Sequence, residues 1–127
     1  MTSVEIPYSI AAALPSLAVV DVTNDVARAV TASPYADGIA YVSSASSSLV
    51  RISERESGLF EDLEYFLDRL VPKGTAERER ILAFLLGPRT EQIPFSGGEL
   101  CLGRYQRILI FSFDESCRSD WTLTLLG

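Results

Sequence analysis

The sequence predicts a single domain over residues 1–127 that mixes short strands with two or three helices, and three observations carry that expectation. The run from Ile108 to Phe113 has only Ser112 as a polar residue. Short and rich in β-formers, it reads as a strand covered on both faces at the centre of a sheet. Leu59, Phe60, Leu63, Phe66, Leu67 and Leu70 recur at helical spacing, with Glu61, Asp62, Glu64, Asp68 and Arg69 between them. Elsewhere, short apolar or alternating runs are bounded by Gly, Pro, Asn, Asp and Ser.

Taken in order, Val4, Ile6, Tyr8 and Ile10 alternate with polar or small residues, the pattern of a half-buried first strand. Ala18 to Asp21 is a second strand after the Leu14-Pro15 turn. In DVTNDVARAV, Thr23 or Asn24 is placed to cap a short helix whose inner face carries Val26, Ala29 and Val30, and Ser33-Pro34 ends it. Asp37-Gly38 turns the chain into a buried strand over Ile39 to Val42. Ser43 to Ser48 reads as a loop or exposed strand end before a strand over Leu49 to Ile52. The periodic segment makes a helix from about Gly58 to Val71, stopped by Pro72. A further helix begins after Gly74, with Thr75 as N-cap, Glu77 and Glu79 suiting its dipole, a stripe of Ile81, Leu82 and Leu85, and Gly87-Pro88 as its end. Ile93 to Phe95 joins the stretch Gly98 to Asp114 through Ser96-Gly97-Gly98 as a hairpin, and Gly103 inside that stretch signals a bulge or a close backbone approach. After a polar turn over Asp114 to Asp120, Trp121, Leu123 and Leu125 alternate in a closing strand.

Composition narrows the function. At 127 residues the chain is long enough to bury a core of its own. No apolar run approaches the ~20 residues of a membrane span, and the N-terminus lacks the basic and apolar regions of a signal peptide, so a cytoplasmic protein with free thiols is expected, without a membrane partner. A net charge of −6 with a single lysine, Lys73, disfavours nucleic acid. The chain contains no histidine, which removes Ser/His and Cys/His dyads and imidazole metal ligands.

Several words of the sequence, in this order, carry a resemblance that spans nearly the whole chain: DVTNDV, LDRLVP, LLGP, GELCLGRYQ and the terminal FDESCRSDWTLTLLG. The chain resembles the YjbQ-like family, proteins associated with secondary thiamine-phosphate synthase activity. The resemblance implies an α+β fold, mostly antiparallel β-sheet or sandwich packed against two to three helices, assembled as a homotrimer with a histidine-rich metal site between subunits. At the positions of that site this sequence differs. The histidine of the family's HTT-like motif falls on Ala45 or, with a one-residue shift, Ser46. The histidine seven residues before the LLG glycine falls on Arg80, and the loop after LVP that holds another is shortened to Lys73-Gly74. The tryptophan of the family's GTWQ is Tyr105.

The expected binding positions are therefore Ala45, Ser46, Glu54 and Arg80, with no metal, no cofactor and no assigned catalytic residue. Glu54, Glu56 and Asp62 read either as a hard-metal or acid/base site or as a solvated loop and an acid-rich helix start. Arg80 reads either as a fixed charge in the old metal pocket, paired with Glu54, or as an exposed partner of Glu77 or Glu79. Ser43 to Ser48 with Arg51 could cradle a phosphate, or simply replace a lost site. Cys101 reads as a core thiol, and Cys117 lies in the polar turn; a reactive thiol would need Arg104, Arg107 or Arg118 nearby. Two functions follow: a family member without the metal site, retained for assembly or for binding a small anion or phosphorylated ligand, or a metal-independent enzyme acting on phosphorylated thiamine precursors. For the trimer, the apolar residues Phe111, Phe113 and Trp121 are either covered by neighbouring subunits or buried in the chain's own core.

Overall fold

The protein is described here by a computed structural model, covering residues 2–5, 10–14, 17–44, 48–54, 56–113 and 120–127. Its strands are β1 (Thr2–Glu5), β2 (Ile10–Leu14), β3 (Leu17–Asp21), β4 (Gly38–Ser44), β5 (Ser48–Glu54), β6 (Thr90–Ser96), β7 (Glu99–Leu100), β8 (Gln106–Ser112) and β9 (Asp120–Leu126). Its helices are α1 (Thr23–Ala32), α2 (Ser57–Leu70) and α3 (Arg78–Leu86). The strands form two sheets, one in the order β1-β9-β4-β6-β7 and one in the order β2-β3-β8-β5, and every pairing is antiparallel. The fold is α+β.

The four-stranded sheet is the middle layer. On one face Val20, Val50, Ile108 and Ile110 meet Ala40, Val42, Ile93, Phe95, Trp121 and Leu123 of the five-stranded sheet, with Val26 and Val30 of α1 closing one side. On the other face Leu17, Val19, Leu49, Leu109 and Phe111 meet Phe60, Leu67 and Val71 from α2 and its end, and Leu82 of α3. Phe60 and Phe111 pack edge to face, with ring centroids 5.6 Å apart. Phe111, Phe113 and Trp121 are thus filled into the chain's own core, which removes them as a surface for neighbouring subunits.

Several expectations are corrected. The strand expected over Val4 to Ile10 is two strands in different sheets: β1 pairs with β9 and β2 with β3. Pro7, which has no N–H for a ladder, stands between them in the sequence; Ile6 and Tyr8 lie outside the described residues. The stretch Gly98 to Asp114 likewise crosses from sheet to sheet, since β7 extends the hairpin with β6 while β8 is central in the other sheet. Gly97 and Gly98, at φ 61° and 77°, take the left-handed turn positions that join β6 to β7. Gly103 is in a turn rather than a bulge: its N–H donates to Gln106 Oε1 at 2.7 Å, and Gln106 N–H donates back to its carbonyl at 3.1 Å. The close approach falls instead at Gly38, where a Cβ would lie 2.2 Å from the Leu126 carbonyl oxygen. Cys101 is exposed, not in the core, and the polar turn with Cys117 lies outside the described residues.

The helix ends also differ. Neither Thr23 nor Asn24 caps α1. Asp21 accepts from the Thr23 N–H at 3.0 Å, and Thr23 Oγ1 accepts from the Ile108 N–H at 2.7 Å. The last helix starts at Arg78, two residues later than Thr75 as N-cap would place it. Arg78 is buried, donating through Nε to the Val71 carbonyl at 2.7 Å and through a terminal nitrogen to Asp68 at 2.8 Å. Bringing it there uses up Thr75 to Glu77 in turns, with Glu77 at φ 56°. The apolar stripes are only half covered. Phe60, Leu67 and Leu82 are buried, whereas Leu59, Phe66, Leu70, Ile81 and Leu85 are exposed.

This division of α3 has a measurable consequence. Leu82→Ala should lower stability by about 3 kcal/mol, the cost of a cavity in a packed core. Leu85→Ala should cost less than about 1 kcal/mol in the isolated chain. Urea unfolding of the two variants checks the difference, and equal losses would contradict the burial described.

Candidate functional site

A group of charged residues gathers at one end of the β5–β8 pair. Along these strands Ser53 lies opposite Arg107 and Glu54 opposite Gln106. Here β8 leaves its apolar run and the turn carrying Arg104 and Tyr105 begins. Glu54, Glu56, Arg104, Tyr105 and Arg107 line an open pocket of about 380 Å³. The Arg104 guanidinium lies over the Tyr105 ring, 5.3 Å from its centroid.

Arg107 ties the pocket to the core. Its Nε donates to Asp21 Oδ2 at 2.8 Å, and a terminal nitrogen reaches Asn24 Oδ1 at 3.4 Å. The Asp21 side chain is 5% exposed and that of Arg107 33%. A carboxylate so placed needs its partners. Burial by itself raises the Asp21 pKa, but the hydrogen bonds from Arg107 and from Thr23 more than offset it and leave the carboxyl below its ordinary value. The DVTN segment, the start of α1 and the first residues of β8 are thereby held as one unit. Sequence reasoning missed this pairing. Its signal was a charge at the end of each of two buried strands, Asp21 after Ala18 to Val20 and Arg107 before Ile108.

The expected binding residues are not all brought together. Glu54 and Glu56 enter the pocket. Arg80 instead donates to Glu77 Oε1 at 3.0 Å on the surface of α3, with its side chain 72% exposed. Of its two expected roles, the geometry is that of the exposed pair. Ala45 and Ser46 lie outside the described residues. Ser43 shares a hydrogen bond with Thr90, and Arg51 donates to the Leu86 carbonyl, so among the described residues these two do not form one phosphate cradle.

The comparisons with known proteins agree with this fold. A family model described as UPF0047 protein YjbQ-like matches residues 12–127. The chain belongs to the YjbQ-like UPF0047 family. A UPF0047 protein of Archaeoglobus fulgidus is 35% identical over 107 residues, covering 76% of this chain and 81% of that protein. Two crystal structures are also similar. A hypothetical protein of Aeropyrum pernix K1 is 26% identical with a TM-score of 0.81, over 100% of this chain and 99% of that one. An uncharacterized conserved protein of the YjbQ/UPF0047 family from Clostridium acetobutylicum is 26% identical with a TM-score of 0.79, over 98% and 97%.

The histidine-rich metal site implied by the resemblance does not fit this YjbQ-like chain. There is no histidine, and among the described residues no three cysteine or carboxylate side chains gather as ligands. The pocket at the end of β5 is lined by two carboxylates, Glu54 and Glu56, and two guanidinium groups, Arg104 and Arg107.

Asp21→Asn should destabilise the protein by roughly 2 kcal/mol, somewhat less than the loss of a fully buried pair because Arg107 is partly solvated. Because the folded-state pKa is depressed, the stability Asp21 contributes is fully present above its unfolded value, about 3.9, and is lost as pH falls through the lower folded value. Urea midpoints measured between about pH 7 and pH 2 should show an acid-induced loss that is smaller in Asp21→Asn.

Proposed function

We propose that this YjbQ-like protein is a self-assembling binder of a small phosphorylated or otherwise anionic molecule, held where Arg104, Tyr105 and Arg107 meet Glu54 and Glu56. The observation that carries the reading is the pairing of two guanidinium groups in one open pocket. Arginine presents N–H donors in a planar fork that matches phosphate and carboxylate oxygens. Arg107 is oriented by Asp21, so part of its side chain is already fixed before a ligand arrives. The two glutamates would repel a bare anion. They favour a molecule whose anionic end meets the arginines and whose ammonium or hydroxyl donors meet Glu54 or Glu56. The Tyr105 ring adds a flat surface for either end. No catalytic residue is assigned.

Assembly rests on a separate observation. Phe84 is 88% exposed, Phe66 64% and Leu70 58%, with Leu59, Ile81 and Leu85 also exposed on the same two helices. Together they leave on the order of 600 Å² of apolar surface, most of what one partner contributes to a standard interface of about 800 Å² a side. Exposed apolar surface of this extent on two helices suits a second and third copy of the same chain. The homotrimer is thus proposed through α2 and α3, not through Phe111, Phe113 and Trp121.

Two measurements check these proposals. Calorimetric titration should show phosphoethanolamine binding several-fold more tightly than inorganic phosphate. Arg104→Ala should weaken both by roughly tenfold, and Glu54→Gln should remove the advantage of the amine. No saturable binding of either would overturn the site. Light scattering coupled to size exclusion should give a trimer mass for the wild type and a smaller mass for the double variant Phe66→Ser/Phe84→Ser. A monomeric wild type at micromolar concentration would rule the assembly out.

A further inference from the structure

A second cavity, on the helix-covered face of the four-stranded sheet, has a lining unlike that of the pocket just described. α2 packs chiefly over β2 and α3 over β5. Between them a cavity of about 130 Å³ is lined by Leu49 and Arg51 of β5, Leu63 and Leu67 of α2, Leu86 of α3, and Phe111 and Phe113 at the end of β8. Strand alternation explains the floor. Leu49, Arg51 and Phe111 all point to the helix side, while Val50 and Ile110 point to the other sheet.

Arg51 is the one charged side chain among the described lining residues. It is exposed, and one terminal nitrogen donates to the Leu86 carbonyl at 2.6 Å. That bond leans the guanidinium against the end of α3 and leaves its remaining N–H donors for another acceptor. A cavity lined by aliphatic and aromatic carbon with a single guanidinium at its edge matches one kind of molecule. We infer that it takes a small amphipathic monocarboxylate, with the carboxylate on Arg51 and an apolar tail among Leu49, Leu63, Leu67, Leu86 and Phe111.

Size and charge fix the class further. An apolar protein cavity of about 150 Å³ admits benzene, so 130 Å³ suits a tail of about five carbons. A monoanion matches one guanidinium, whereas a phosphate dianion at the edge of an apolar cavity would leave part of its charge unpaired. This site is independent of the pocket at Glu54, which lies toward the opposite end of β5.

The test uses the full chain as purified, titrated with hexanoate, hexan-1-ol and acetate and followed by amide chemical shifts. Hexanoate should bind saturably, with the largest shifts around Leu49, Leu63 and Leu86. Hexan-1-ol should bind about tenfold more weakly for want of the charge. Acetate should bind roughly a hundredfold more weakly for want of the tail. Arg51→Gln should reduce hexanoate to the level of hexan-1-ol. Leu63→Trp, which fills the cavity from α2, should cost hexanoate at least about tenfold while the far-ultraviolet spectrum is unchanged. Absence of saturable hexanoate binding overturns the inference. So does binding that neither variant weakens, or equal affinity for all three probes.

Discussion

Four successive residues of β8 are divided between two cores, and the rest of the molecule is arranged to satisfy them. Ile108 and Ile110 face the five-stranded sheet, and Leu109 and Phe111 face α2 and α3. A strand has side chains on both faces, so an unbroken apolar run is stable only with a layer over each. The ladder is also complete on both edges, with β3 on one side and β5 on the other. Each such side chain contributes roughly 2 kcal/mol on burial. Losing either layer would therefore cost about 4 kcal/mol from β8 alone, a large share of the roughly 5–15 kcal/mol by which a domain is stable.

The same constraint explains where charge is tolerated. Within the apolar register of β3 and β8, ionised groups appear only at the ends, Asp21 and Arg107, where each finds the other. Thr23 completes the corner by donating its own N–H to Asp21 and accepting that of Ile108. With all of these groups satisfied, the burial of Asp21 adds orientation without leaving an orphaned charge. The Arg107 guanidinium is thereby held toward β3 and α1 while its side chain lines the same pocket as Glu54, and the turn after Gly103 delivers Arg104 and Tyr105 to that pocket. Charge at the candidate site is thus a by-product of ending a buried strand.

Most single elements were legible in the sequence, because each is written in local periodicity. β8, the β6–β7 hairpin, the extent of α2 and the alternation of β9 all follow from spacing and turn residues. What was not legible is non-local. Nothing in the alternation of Val4 to Ile10 says that its two ends join different sheets. The start of α3 depends on Arg78 reaching Val71 and Asp68, residues of the preceding helix and its end, and so outweighs the local preference for Thr75 as a cap. Periodicity located the apolar faces of α2 and α3 but not how much of each the sheet would cover. For the site, Glu54 and Glu56 could be read as candidates, whereas the role of Arg107 required knowing that β3 and β8 are neighbours.

The half-covered helices follow from geometry. Four strands spaced about 4.8 Å apart offer a platform some 15 Å wide, while two helices packed side by side need centre lines 8–10 Å apart and about 10 Å of width each. With α2 over β2 and α3 over β5, each helix rests on an edge and buries only its inward side, through Phe60 and Leu67 on one and Leu82 on the other. The outward and upward apolar residues cannot be buried by this chain in the same arrangement. Between the helices Leu63 and Leu86 line a cavity of about 130 Å³. An exposed Phe84 and an unfilled cavity beside Arg51 therefore have a single origin: the helical layer is wider than the sheet it covers, so its surplus apolar surface is left for something other than the fold to use.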